Sequence, residues 1–416
     1  MGLAPIPITG TNATVPAPMG GLNTRDSVDM VPPTDAIRLD NFFPARSHVQ
    51  VRNGYADHVT GLPSTVQSLM VYNSGTASTM FAASGTAVYD VTSAGAVGSA
   101  VITSLSNAQF QWVNMTTAGG SFLFICNGED APRHWNGSAW ATPTLSGVTA
   151  ANIVSVTIYK ERLFFVFNDS LTFGYLAVNA VAGSVSTFNL GSVFTSGGQL
   201  QAIGTWTRDG GAGPEDNAIF WTDQGEMAMY AGTDPGDASK WSLVGVYKVG
   251  RPIGRRCIIN VGSDCYLITE NGVLPMTQVL GTGEAAPNRA ISDKISLTYN
   301  ESVVAYRGTF GWEGELYPKG GYALFNAPAS NAGAFVQYVV NLETGSWARF
   351  RNQNAYTWAV FDSDLYFGGN TKVHKADTGT SDGGDAIEAT AKTAFIYYGE
   401  RRGPTRYPAI RPVMAS

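Results

Sequence analysis

The sequence predicts an all-β protein: a β-propeller of short antiparallel blades with an extended N-terminal arm and one short helix. Three observations predict it. The 416 residues include 48 glycines and 20 prolines, a density of turn formers that favours many short elements over long helices. Charged residues make up only 14% of the chain against 44% hydrophobic, so Ser, Thr, Asn, Gln and Gly must supply most of the polar surface. From 61 to 395, short runs of β-branched and aromatic residues alternate with Gly, Asn, Asp or Ser roughly every 6–12 residues.

The arm comes first. Residues 1–33 are rich in Pro, Gly, Thr and Asn without periodicity, and read as an extended segment that needs a partner surface to order it. Residues 34–40 (TDAIRLD) predict one helical turn capped by Thr34 and stopped by Asn41-Phe42-Phe43-Pro44. Residues 1–60 are thus an arm and lead-in, 61–395 the propeller, and 396–416 a C-terminal strand segment, read as the start of a further β element.

Within the propeller, 66–73, 79–83 and 87–92 are strands around Ser74-Gly75 and Ser84-Gly85, and 121–126 runs into the turn signal Asn127-Gly128. Strands 153–159 and 162–167 flank Lys160-Glu161, and 218–222 and 226–230 flank Asp223-Gln224-Gly225. A tight hairpin at Gly262-Ser263 sets Asn260 opposite Cys265 and Cys257 opposite Ile268, which keeps the two sulfurs apart. Cys126, Cys257 and Cys265 therefore read as buried free thiols. Later strands fall at 322–326, 335–342, 346–350, 356–361, 364–367 and 371–375. Each small sheet has two apolar faces, and packing sheets around an axis buries both. A sandwich or a pair of barrels is the rival arrangement. Residues 287–300, with Ile291 and Ile295 four apart, predict the single short helix.

Motifs for catalysis are missing. The sequence has no phosphate loop, no G-x-S-x-G elbow and no H-E-x-x-H, and its four histidines have no Cys or His at metal-ligand spacing. No catalytic, cofactor-binding or metal-binding residue is assigned, and a non-enzymatic role is expected. Asp377, Asp382, Asp385 and Glu388 cluster among glycines but match no calcium loop, and read as a solvated loop. Arg251, Arg255 and Arg256, and then Arg401, Arg402 and Arg406, are candidate contacts to DNA phosphates or to a neighbouring subunit. Trp135, Trp140 and Trp347 are the residues that a carbohydrate-binding propeller would use, which is the alternative reading. The net charge of −6 argues against a phosphate-gripping DNA reader. No apolar run approaches the ~18 residues of a membrane span, and the first residues lack the basic and apolar regions of an export signal.

One resemblance cuts across these readings. The stretch Pro16-Ala17-Pro18-Met19-Gly20-Gly21-Leu22-Asn23-Thr24-Arg25-Asp26-Ser27 leads through Leu39-Asp40-Asn41-Phe42-Phe43-Pro44 to Val51-Arg52-Asn53-Gly54-Tyr55. It resembles the opening of the nozzle proteins of short-tailed bacteriophages, the tail tubular protein B or packaged-DNA stabilisation family. Val249-Gly250-Arg251-Pro252, Glu270-Asn271-Gly272 and Glu343-Thr344-Gly345-Ser346-Trp347 are similar to the same family. The N-terminal part is the more specific, through Asn23, Arg25, Asp26, Asn41, Phe43, Pro44, Arg52, Gly54 and Tyr55.

The resemblance implies a propeller subunit of a six-fold homo-oligomeric ring in the virion tail, assembled in the bacterial host cytoplasm. Such a ring meets a tail adaptor protein on one side and carries tail fibres or spikes. It encloses a channel for double-stranded DNA, retains the packaged genome and releases it on ejection. Nozzle proteins often continue with further β structure past the point corresponding to Ser416. An acidic wall suits that role, since it repels a duplex bearing one phosphate per ~1.7 Å and favours passage over binding.

Overall fold

The computed structural model describes residues 14–209, 214–262, 264–280 and 290–396. It is an all-β propeller. Antiparallel strand groups follow one another along the chain, each built from neighbours in sequence, as the dense turn signals require.

Blade 1 consists of the second half of Tyr55–Asn73 with Ser78–Ser84, Ala87–Asp90 and Ala100–Ile102. Blade 2 runs from Gln111–Thr117 to Trp140–Ala141, and blade 3 from Ile153–Tyr159 to Ser186–Asn189. Blade 4 runs from Leu200–Asp209 to Trp241–Lys248, and blade 5 holds Ile258–Val261, Asp264–Thr269 and Gly272–Pro275. Blade 6 is Glu313–Tyr317, Tyr322–Pro328, Phe335–Asn341 and Trp347–Arg351. Blade 7 is Thr357–Phe361, Asp364–Gly368 and Asn370–Ala376, completed by the first half of Tyr55–Asn73. The first strand of each blade lies beside the first or second strand of the next, and blade 7 returns to blade 1, so the ring closes.

The packing follows the logic of two apolar faces per sheet. One core cluster joins Phe81 and Met70 of blade 1 to Leu123 and Ile125 of blade 2. Another joins Phe124 to Phe165 across blades 2 and 3, and a third Phe173 to Phe220 across blades 3 and 4. Val66 and Leu69 meet Ala359 and Phe361 between blades 1 and 7. The largest cluster spans blades 4 to 7 and includes Leu22, Ala36 and Leu39 of the N-terminal segment. Each buried Leu, Phe or Ile here contributes about 1.5–3 kcal/mol.

The hairpin at 258–269 has the expected register, with Asn260 opposite Cys265 and the Ile268 amide bonded to the Cys257 carbonyl. The three cysteines are buried and unpaired. Lys160-Glu161 and Asp362-Ser363 both turn with φ between 47° and 67°, the left-handed pair that two-residue hairpins need.

Four expectations change. Residues 34–40 are not helical: Asp35–Asp40 is a strand at the outer side of blade 6, paired with Gly21–Leu22 and Thr390–Thr393. The described part of the arm, from residue 14, finds its packing surface on its own chain, with Gly21 beside Trp347. The helix falls later than expected: Ser296–Tyr306 (α2) follows a short turn at Asp293–Ile295, and a five-residue helix, Met276–Leu280 (α1), precedes it. The proposed boundary at 60/61 falls inside the strand Tyr55–Asn73, and residues 397–416 lie outside the described residues.

Candidate functional site

Two arrangements concentrate the polar chemistry of this molecule. The first fastens the lead-in to the propeller, and the second lies on the propeller axis.

The lead-in is held by all nine residues singled out between 23 and 55. Asn23 is buried and donates from Nδ2 to Asp26 and to Asp35, both at 2.9 Å. Arg25 bonds Asp26 at 2.8 Å and Asp293 at 2.6 Å, which holds the Asp26 carboxyl below the usual carboxylate range. Lys294 reaches Asp35 at 2.9 Å. Asn41 adopts φ 57° and accepts from the Arg351 amide at 2.7 Å and from Arg52 Nε at 3.0 Å. Phe43 packs on Tyr322 with ring centres 5.6 Å apart, and the Pro44 carbonyl accepts from Asn341 at 3.0 Å.

Arg52 carries the most. Its side chain is 2% exposed and it grips Asp382 with two bonds, at 2.8 and 2.6 Å. It also donates to the Arg351 carbonyl at 2.9 Å and lies over the Phe350 ring. Gly54 sits against the Ser381 backbone, where any Cβ would overlap the carbonyl. Tyr55 packs edge-on against Phe367 and His374. The partners Asp35, Lys294 and Arg349 carry no local signal in the sequence. Burial pushes the Asp40 carboxyl up, but Arg349 and Arg38 at 2.7 Å outweigh it and hold it below the ordinary value. Asp382 belongs to the acidic group expected to be a solvated loop, and it is instead 6% exposed.

The axis is spanned by Arg256. Its guanidinium donates to Glu313 at 2.6 Å and Thr357 Oγ1 at 2.9 Å, in blades 6 and 7. It also donates to the Gln67 carbonyl at 3.0 Å, Ser68 Oγ at 2.7 Å and the Phe110 carbonyl at 3.0 Å, at blades 1 and 2. One side chain from the edge of blade 5 thus ties four other blades together. First strands of blades 2 to 7 line a cavity of about 250 Å³ around it, with Glu315 on its wall. Enclosure, followed by the charge of neighbouring Glu313, pushes the Glu315 carboxyl up to about 8. On the other face of Arg256 lies a second cavity, also about 250 Å³, bordered by Arg255, Arg307 and the loop 308–312.

The predicted arginines therefore separate. Arg251 is exposed and bonds Gln224 at 3.1 Å, Arg255 lines the axial cavities, and Arg256 is committed to contacts within its own chain. Arg401, Arg402 and Arg406 lie outside the described residues. The tryptophans set aside for sugar stacking are engaged elsewhere. Trp347 is 1% exposed and donates to the Ile291 carbonyl, while Trp135 and Trp140 pack on Phe81. Among the described residues, no three His, Cys, Asp or Glu converge to hold a metal ion, and no helix is long and apolar enough to cross a membrane.

No family model matches the chain, and no curated protein matches it. Solved structures do. BBS1N in complex with ARL6DN is similar over 81% of this chain and all of its own, at 10% identity and a TM-score of 0.48. The computationally designed Ika8 protein covers 77% of this chain and 99% of its own, at 10% identity and TM-score 0.44. YCF48 bound to D1 peptide covers 78% and 96%, at 9% identity and TM-score 0.33. Likeness at this level carries nothing about activity or partners.

Proposed function

We propose that this chain is a structural, non-enzymatic subunit of a bacteriophage tail nozzle: a ring, six-fold by resemblance, that encloses the DNA channel, retains the packaged genome and lets it leave. The observation that carries the reading is the lead-in. Residues of the stretch that resembles the nozzle family serve here as fasteners: Arg52 joins Asp382 of the 377–388 hairpin in a buried ion pair, Asp40 meets Arg349 of blade 6, and Arg25 meets Asp293 before α2. Such a lock suits a part that must hold its shape under load.

The axis supports the same reading by elimination. A duplex whose major groove alone is about 12 Å wide has no path through a propeller whose centre is spanned by Arg256. In this reading DNA runs between copies, non-specifically, past walls of net negative charge. Two separate apolar surfaces suit head-to-tail contact between copies. One is the edge strand of blade 4, with Leu243, Val244 and Val246 exposed; the other is the outer face of α2, with Leu297 and Val304. The adaptor protein and the tail fibre or spike would meet the ring at its ends and rim.

The test is assembly. The full chain, mixed with the adaptor ring of the same phage and imaged by electron microscopy, is expected to form a ring with a central bore. A lone globular monomer in that mixture overturns the proposal.

A further inference from the structure

The cavity beside Arg256, away from the glutamates, has a lining with an unusual charge balance. Three arginines border it, Arg255, Arg256 and Arg307, together with Gln109, Gln111 and Asn127, and no carboxylate does. Arg256 is neutralised by Glu313. Arg307 is largely exposed, and its partner Glu270 lies 3.6 Å away. Arg255 has no carboxylate partner among the described residues; its one hydrogen bond goes to the Gln201 carbonyl, at 3.3 Å. Burial disfavours its charged form, and the guanidinium is pushed below its ordinary value. A half-buried cation with no carboxylate in contact, and only Asp169 and Asp223 acting on it from farther off, is an incomplete electrostatic arrangement in a cavity of about 250 Å³. A bound anion completes it, because a guanidinium and neighbouring N–H donors match the oxygens of a tetrahedral oxyanion.

We infer that the Arg255 cavity is a binding site for a compact phosphate-class oxyanion, either free or as the terminal group of a small phosphorylated molecule. Gln109 and Gln111 supply amide groups beside the guanidinium, whereas Asn127 Nδ2 and the Thr309 hydroxyl already donate to Asp130 and Asn331. The cavity walls exclude a duplex. The inference does not depend on the ring proposal, because the cavity lies within one chain.

The experiment is titration calorimetry of the full chain with pyrophosphate at constant ionic strength, repeated with a mononucleotide and with a short DNA duplex. Pyrophosphate is expected to bind the wild type with a stoichiometry of about one. R255Q should weaken binding about tenfold or more, and R251Q, which changes an exposed arginine outside the cavity, should leave it within about twofold. Q111E places a carboxylate near Arg255 and should also abolish binding, which covers the case in which R255Q fails to fold. Binding of the mononucleotide at the same site identifies a phosphorylated small molecule as the source, and binding of pyrophosphate alone identifies free phosphate. No heat with pyrophosphate, equal binding by the wild type, R255Q and Q111E, or duplex binding that competes with pyrophosphate overturns the inference.

Discussion

Arg52 and Asp382 stand 330 positions apart in the chain and meet as a two-pronged ion pair, both side chains almost wholly buried. The pair ties the lead-in to the hairpin that follows blade 7, and the guanidinium also donates to the Asn41 side chain and to the Asn53 and Arg351 carbonyls. Removing one partner leaves a buried charge without compensation. R52M should therefore destabilise the fold by about 3–5 kcal/mol, read as a lower urea midpoint. R52M combined with D382L should recover part of the loss, since the stranded carboxylate is then gone. A double variant no more stable than R52M would show that the pair is not the origin of the effect.

Arg256 should behave as a joint between blades rather than as a surface charge. R256M removes five acceptor contacts in four blades and leaves Glu313 at the axis without its counter-ion, held only by the Trp358 amide and the Thr357 hydroxyl. A loss of about 3–5 kcal/mol is expected. Hydrogen exchange should quicken together in the first strands of blades 1, 2, 6 and 7. Faster exchange confined to blade 5 would refute the shared role.

Glu315 should give the stability an inverted pH response. Unfolded, a glutamate titrates near about 4.3; in the axial cavity Glu315 keeps its proton up to about 8. Between those values the folded chain binds one proton more than the unfolded chain, so stability falls as pH rises. The loss across the window is on the order of a few kcal/mol. E315Q should flatten it, as read from urea unfolding at pH 5, 6, 7 and 8. Parallel slopes for both proteins would refute the assignment. Asp40 acts in the opposite sense. Its folded value lies below the unfolded one, so its contribution is present above the unfolded value and is lost as pH falls through the acid range.

The cysteines should report unfolding. All three are buried, and burial pushes the Cys257 thiol up to about 12, with Cys126 and Cys265 also raised. Alkylation at neutral pH should be negligible in buffer and complete in denaturant. Rapid labelling of the native protein would contradict their burial.

If copies pack head to tail, the edge strand of blade 4 should be sensitive to charge. L243D with V246D places two carboxylates on that strand and should abolish ring formation while leaving the monomer's melting midpoint within a few degrees. Rings formed at unchanged yield would remove this strand from the interface.

Much of the fold was legible because its signals are local. The register of 258–269 follows from turn chemistry and strand period alone, and so does the turn at Lys160-Glu161. The misread segment 34–40 shows the limit. Thr34 resembles a helix cap, yet Asp35 and Asp40 are buried because Lys294 and Arg349 meet them from 259 and 309 positions away. Those partners override a weak local preference, and nothing in the segment announces them. Arg256 was hidden in the same way. Beside Arg255 it reads as a patch of surface charge, and only closure of the ring brings Gln67, Ser68, Phe110 and Thr357 around it. The nine lead-in residues were marked by resemblance, but their task became visible only with their acceptors.

The strand Tyr55–Asn73 serves two blades, since its first half pairs with Asn370–Ala376 and its second with Ser78–Ser84. During synthesis its first half emerges roughly 300 residues before its partner. At about 5–20 residues per second, that edge waits about 15–60 s with its backbone groups unsatisfied. The nascent chain therefore spends most of its translation as an open ribbon with a sticky leading edge, and its yield in the cell should depend on chaperone occupancy and ribosome speed more than on the stability of the finished ring.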